Sequence, residues 1–264
     1  MLFVFQSGMK QLIHLVLFLF LSNSLSAQFL ESRDETVFQP GEILKYRLKY
    51  GFLTAADATL TVSEGHVYNQ PVYHIIAQGK TAGSFDFFYK VRNKYESYIN
   101  KQALTPLLYV ENVKEGNYRR TDRVRFYPDQ QKVVSKKGTF PAKRQTFDLV
   151  SAYYFARSLD MADVRQGKTL TLYYFLSDGV YDLQIQYVGK ERVKTSLGYF
   201  NCLKFSPSIQ PGRVFRKDSK LYLWITDDNN RIPVKAQVEL IVGSLTMELT
   251  EFKNLKYPVT YTKR

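Results

Sequence analysis

The stretch Lys235-Ala236-Gln237-Val238-Glu239-Leu240-Ile241-Val242-Gly243-Ser244-Leu245-Thr246-Met247-Glu248-Leu249-Thr250 decides the fold class. Ala236, Val238, Leu240 and Val242 alternate with Lys235, Gln237 and Glu239. After the turn signal Val242-Gly243-Ser244, Leu245, Met247 and Leu249 alternate with Thr246, Glu248 and Thr250. Successive side chains of a strand point to opposite faces, so a period of two with one polar set reads as half-buried antiparallel strands.

The same period recurs outward from this hairpin. Leu44, Tyr46, Leu48 and Tyr50 alternate with Lys45, Arg47 and Lys49, and Tyr181, Leu183, Ile185 and Tyr187 alternate with Asp182, Gln184 and Gln186. Turn signals stand between such runs at Glu64-Gly65, Glu115-Gly116-Asn117, Pro128-Asp129, Ser177-Asp178-Gly179 and Asp227-Asp228-Asn229-Asn230. Aromatic residues make up 15% of the chain, with 20 Tyr and 19 Phe, side chains that pack well on a pleated surface. Strands do not alternate with long helices, which argues against a parallel sheet. The expected fold is therefore mainly all-β: an antiparallel meander that closes as a barrel or packs as two layers. One helix is expected near 147–159, with Thr146 as its cap, Asp148 in its first turn, Arg157 near its end, and Phe147, Val150 and Tyr154 facing the sheet. A second short helical turn fits Ser84 to Tyr89. No repeat or linker divides residues 28–264, which read as a single β-rich domain.

The amino terminus reads as an address. Met9-Lys10-Gln11, the apolar run Leu12 to Leu21 and the small-residue zone Ser22 to Ala27 follow the order of a secretory signal peptide. A spanning helix needs roughly 20 apolar residues, and this run is about half that. Residues 1–27 are expected to be removed, with Met9 an alternative start and cleavage near Ala27–Gln28. No Cys follows the cleavage zone, so a lipid anchor is not expected. The lone Cys202 has no disulfide partner within the chain and reads as a small buried strand residue.

Charge is concentrated. The net charge is +13, and between Lys114 and Arg144 ten basic residues face three acidic ones, a local excess of seven. On a strand from Tyr118 to Tyr127, Arg119, Arg123 and Arg125 share one face. In an exported protein such a stripe is not expected to meet nucleic acid; an anionic envelope lipid or glycan is the partner of matching charge. The plainer reading is a solvated face that maintains solubility.

No catalytic pattern is present. Beyond the leader, His66 and His74 share no metal-ligand spacing with carboxylates or Cys202, and neither a G-x-S-x-G elbow nor a Gly-rich phosphate loop occurs. No cofactor is implied, and the chain reads as non-enzymatic. A carboxylate pair distant in sequence, as glycosidases use, stays open. Trp224 reads as a packing residue before a ligand platform.

Three motifs carry a family resemblance: Phe38-Gln39-Pro40-Gly41-Glu42-Ile43-Leu44-Lys45-Tyr46, then Phe147-Asp148-Leu149-Val150-Ser151-Ala152-Tyr153-Tyr154, then Leu223-Trp224-Ile225-Thr226-Asp227 with Arg231-Ile232-Pro233-Val234. In this order they resemble the domain of unknown function 3108 family of exported bacterial proteins, over residues 38–257. The resemblance implies an exported β-rich protein and supplies no catalytic residue. The closing hairpin, with Asp227 to Asn230, Pro233 and Glu248 to Phe252, is also similar to that of periplasmic lipoprotein carriers. Three functions follow as expectations: an exported, periplasmic binding protein for an envelope component, a carrier for an acylated ligand, or a polysaccharide hydrolase.

Overall fold

The computed structural model describes residues 30, 32, 35–161, 164–208, 220–240 and 243–263. The expected signal peptide, residues 1–27, lies outside the described residues. Residues 31–264 group into one compact unit.

Strands β1 (Ile43–Tyr50), β2 (Leu53–Val67) and β3 (Gln70–Thr81) are followed by the short helix α1 (Gly83–Phe88). Then come β4 (Arg92–Asn100), β5 (Pro106–Glu115), β6 (Tyr118–Tyr127), β7 (Lys132–Ser135) and β8 (Gly138–Pro141). The two-residue β9 (Thr146–Phe147) leads into helix α2 (Leu149–Ser158). The chain continues through β10 (Thr169–Leu176), β11 (Gly179–Lys194), β12 (Tyr199–Pro207) and β13 (Leu221–Thr226), and closes with β14 (Pro233–Glu239), β15 (Ser244–Lys253) and β16 (Tyr261–Thr262).

The strands form one sheet in the order β8-β7-β6-β5-β4-β3-β2-β1-β15-β14-β13-β12-β11-β10-β9, with β16 beside β12. It is two meanders, one running from β1 to β8 and one from β10 to β15, zipped together where β1 pairs antiparallel with β15 from Ile43↔Lys253 to Tyr50↔Leu245. Each neighbouring pair is antiparallel except β9–β10, where Thr146 and Phe147 run parallel to Tyr173 and Tyr174. The sheet curls without closing by hydrogen bonds. Its two ends meet through side chains instead. Phe140 and Ala142, at and just beyond β8, join Val124, Phe126, Val133, Phe175 and Val180 in one apolar cluster. The Phe140 and Phe175 rings lie 5.3 Å apart. The β8 edge is four residues long, ends in Pro141 and follows Lys136-Lys137, features that discourage edge-to-edge pairing.

A second cluster joins Leu44 and Tyr46 of β1, Leu249 of β15, Phe200 and Cys202 of β12, Trp224, Ile232 and Val234. Fully burying an apolar side chain of this size stabilises by roughly 1.5–3 kcal/mol. Cys202 is buried and unbridged, and burial pushes its thiol up to about 12. Pro233 opens β14, where a missing N–H is tolerated.

Two sequence expectations need correction. Glu64-Gly65 is not a turn; both residues lie inside β2, and the hairpin turns at Tyr68-Asn69, with φ of 52° and 62°. Helix α2 is capped by Asp148 rather than Thr146: the Asp148 carboxylate accepts from the Val150 and Ser151 N–H groups, and the Ser151 hydroxyl accepts from the Asp148 N–H. Thr146 is held in β9, its hydroxyl bonded to the Lys143 backbone. Phe147, Val150 and Tyr154 are buried as expected.

Candidate functional site

Strand β6 alternates as its sequence predicts. Val124 and Phe126 enter the core, while Arg119, Arg123 and Arg125 are exposed on the opposite face. The register continues this face across β5, where Lys114 stands opposite Arg119 and Val110 opposite Arg123, and into β7, where Val134 stands opposite Arg125. Arg119 is fixed on the β5–β6 turn, its Nη1 donating to the carbonyls of Gly116 (2.6 Å) and Tyr118 (2.8 Å). Lys136 Nζ donates to the Thr121 carbonyl (2.6 Å) beside the stripe, and Lys132 Nζ lies 5.1 Å above the Tyr127 ring.

The acids nearby are already engaged. Asp122 accepts from the N–H groups of Arg123 and Lys136. Two strands away, Glu96 pairs with His74 (2.9 Å) and Lys94 (2.8 Å), and His74 stacks on Tyr98 at 4.2 Å. Burial alone would raise the Glu96 carboxyl, but the hydrogen bonds from Lys94 and His74 outweigh it and leave it below its usual value. With Lys114, Arg119, Arg123 and Arg125 exposed on it, the outer face of β6 and β5 carries a positive excess. It can hold a negatively charged group at the surface.

Arg120, between these residues in sequence, faces the interior. Its Nη2 donates to Glu111 Oε2 (2.9 Å) and its Nη1 to Ser177 Oγ (3.1 Å). These residues line a recess with Tyr109, Asp122, Asp148 and Leu149, a cavity of about 20 Å³. That is room for about one water molecule. A sugar ring or an acyl chain does not fit it. Burial raises the Asp148 carboxyl, against the backbone and hydroxyl hydrogen bonds from Ser151 and the bond from Ser97 (2.7 Å). Among the described residues no three His, Cys, Asp or Glu side chains are grouped to hold a metal, and no helix is long and apolar enough to cross a membrane.

The feature that sequence reading missed lies at the other end of α2. Arg157 and Glu42 are fully buried and form a two-pronged ion pair, Nη1–Oε1 at 2.6 Å and Nη2–Oε2 at 2.9 Å. Arg157 also donates to the Asn230 carbonyl from Nε (3.2 Å) and Nη2 (3.0 Å), and Tyr154 donates to Glu42 Oε1 (3.2 Å). The Phe38 ring stands edge-on to Tyr154 at 4.8 Å, and Arg231 Nη1 donates to the Leu159 carbonyl. Burial would lower the Arg157 guanidinium, but Tyr153 and Glu42 hold it well above its usual value. Burial likewise raises the Tyr46, Tyr153 and Tyr154 phenols. Glu42 of the first motif and Tyr154 of the second thus meet at one buried ion pair with Arg157, three residues beyond the second motif, while Arg231 of the third bonds the end of α2; together these contacts tie α2 to both meanders. The signal available in sequence was Glu42 inside the first motif and Arg157 near the end of the expected helix, charges that need a partner if they are buried.

Fold and site together define a class: a curled antiparallel sheet, joined side chain to side chain along its seam, with a helix anchored by an internal ion pair. The chain is similar in fold to the β-barrel-like protein of domain of unknown function DUF1849 from Brucella abortus, at TM-score 0.55 and 10% identity, over 82% of this chain and 98% of that one. A protein with a YmcC-like fold from Bacteroides fragilis aligns over 83% of this chain and all of its own, at TM-score 0.36 and 12% identity. No curated protein matches. The profile of the family described as "Protein of unknown function (DUF3108)" matches residues 45–250, and the chain belongs to that family.

Proposed function

We propose that this is an exported, non-enzymatic protein of the periplasm or outer membrane that binds an anionic envelope component through the outer face of β6. The observation that carries this reading is the exposure of Arg119, Arg123 and Arg125 on one face with Lys114, beside acids that are already engaged. Export rests on residues 9–27 of the sequence. The ligand chemistry is that of a phosphorylated lipid headgroup or an acidic glycan, drawn by a field that reaches about 10 Å at 0.1 M salt.

The test is binding of the mature chain to phosphatidylglycerol vesicles, to phosphatidylcholine vesicles and to an acidic polysaccharide across a salt series. Replacing Arg119, Arg123 and Arg125 together with serine removes three exposed contacts worth roughly 0.2–1 kcal/mol each. The expected outcome is an affinity weaker by about 3- to 140-fold with an unchanged circular dichroism spectrum. Equal binding to phosphatidylcholine, or no effect of the triple replacement, would refute the reading. Salt-insensitive retention of an acylated molecule, found by mass spectrometry, would favour a carrier; release of sugar from the polysaccharide would favour a hydrolase.

A further inference from the structure

One end of the sheet carries an apolar tip. Phe52, in the β1–β2 turn, is 92% exposed, and Phe87 and Phe88, on α1, are 88% and 81% exposed. Leu53, Tyr89 and Tyr118 are exposed as well. These six come from three separate segments that the backbone draws together. The Ala82 N–H donates to the Ala55 carbonyl (3.0 Å), which sets α1 beside the β1–β2 hairpin. The Gly116 N–H donates to the Lys90 carbonyl (2.9 Å), which sets the β5–β6 turn beside the end of α1.

The exposure does not come from a loose helix. Asp86 holds Arg92 with bonds of 2.6 Å and 3.0 Å and accepts from the Thr81 hydroxyl (2.7 Å), and Phe85 turns inward toward the Tyr50 ring. The Tyr89 ring lies against Gly116: a Cβ there, where φ is +54°, would come within 2.9 Å of Tyr89 Cε2. With one side of α1 fastened, Phe87 and Phe88 are directed outward and touch each other edge to face at 5.4 Å. Exposed apolar groups gathered in one place mark a docking surface.

Charge names the occupant. Lys80, Lys90 and Lys114 are exposed around this tip and form no ion pair among the described residues, and Arg119, the first residue of the basic stripe, is fixed on the turn that carries Tyr118. Aromatic side chains ringed by Lys and Arg match the two layers of a bilayer surface, acyl-chain boundary beneath anionic headgroups. We infer that this end seats in an anionic membrane surface, with Phe52, Phe87 and Phe88 below the headgroups and the lysines and Arg119 among them. The inference rests on the reading that the basic strand face meets an anionic envelope component, and it assigns the bilayer as that component. Each basic residue near the surface adds roughly fivefold to partitioning.

The experiment compares three mature chains: wild type, Arg119→Ser/Arg123→Ser/Arg125→Ser, and Phe52→Ser/Phe87→Ser/Phe88→Ser. Each is co-sedimented with phosphatidylglycerol vesicles and, separately, bound to heparin as a soluble polyanion. The aromatic replacements remove no core contact, so the fold is expected to survive them. The expected result is more than tenfold weaker vesicle binding for the aromatic variant, with heparin binding unchanged. A Phe87→Trp chain should also show fluorescence quenching by brominated acyl chains, with wild type, whose Trp224 is buried, as the blank. Wild-type vesicle binding by the aromatic variant, or an introduced indole that the brominated chains leave unquenched, overturns the inference. Loss of binding only in the arginine variant would leave the proposed function standing and remove the membrane insertion. Failure of wild type to bind either vesicles or heparin refutes both. A wild-type dimer by sedimentation velocity that the aromatic variant converts to monomer would assign the tip to a second copy of the chain, and overturn the inference.

Discussion

At the scale of single residues, the buried Glu42–Arg157 pair should tolerate little change. Two charges at 0–1% exposure offset their desolvation through their mutual bonds, those from Tyr154 to Glu42 and from Arg157 to the Asn230 carbonyl, and the aromatic rings around Arg157. Glu42→Gln or Arg157→Met leaves one partner uncompensated, and chemical denaturation is expected to show a loss of about 3–5 kcal/mol. Replacing both together with methionine should recover much of that loss, because no lone charge remains. Cys202 gives a second expectation. With its thiol pushed up to about 12, the native chain should resist iodoacetamide at pH 8 and react fully in denaturant, read by mass. The unfolded thiol ionises near 8.5, so the unfolded state sheds its proton first. The Cys202 contribution to stability is therefore complete below about pH 8.5 and lost as pH rises towards 12, and Cys202→Ser should flatten that alkaline slope.

At the scale of elements, α2 depends on its cap. Asp148→Ala removes the acceptor for two N–H groups and strands the Ser97 hydroxyl, and should destabilise by about 1–2 kcal/mol by thermal unfolding. Burial raises the native Asp148 carboxyl above its unfolded value near 4, so its contribution is greatest below that pH and declines as pH rises through the raised value. Asp148→Asn should keep much of the cap and remove that slope. How far sequence reached differs by element. Strands β1, β14 and β15 were legible because one face meets water and leaves alternation in the text, and β6 was legible for the same reason. The β2–β3 turn was not: a two-residue loop with positive φ at both positions favours Asn-Gly, and this chain uses Tyr68-Asn69, while Gly65 sits in extended strand. The parallel β9 was hidden by its length of two residues. The ion pair between α2 and Glu42 joins residues 115 apart, and no local pattern encodes a contact of that span.

At the scale of the whole molecule, the seam is the soft line and the β1–β15 zipper the firm one. Phe175→Ala should cost about 3 kcal/mol and loosen β7 and β8 before the centre. In native-state hydrogen exchange, amides of β8 and β9 are expected to exchange through local opening, while those of β1 and β15 exchange only with global unfolding. Uniform protection across the sheet would contradict this. The central pairing also sets a timetable for synthesis. Ile43 meets Lys253 across about two hundred intervening residues. At roughly 5–20 residues per second, β1 leaves the ribosome some 10–40 s before its partner exists. During that interval β2 can cover one edge of β1, but the other stays bare with Leu44 and Tyr46 beside it. The nascent chain is thus obliged to travel with an unfinished edge, and an escort that shields extended apolar segments is what the order of its strands demands.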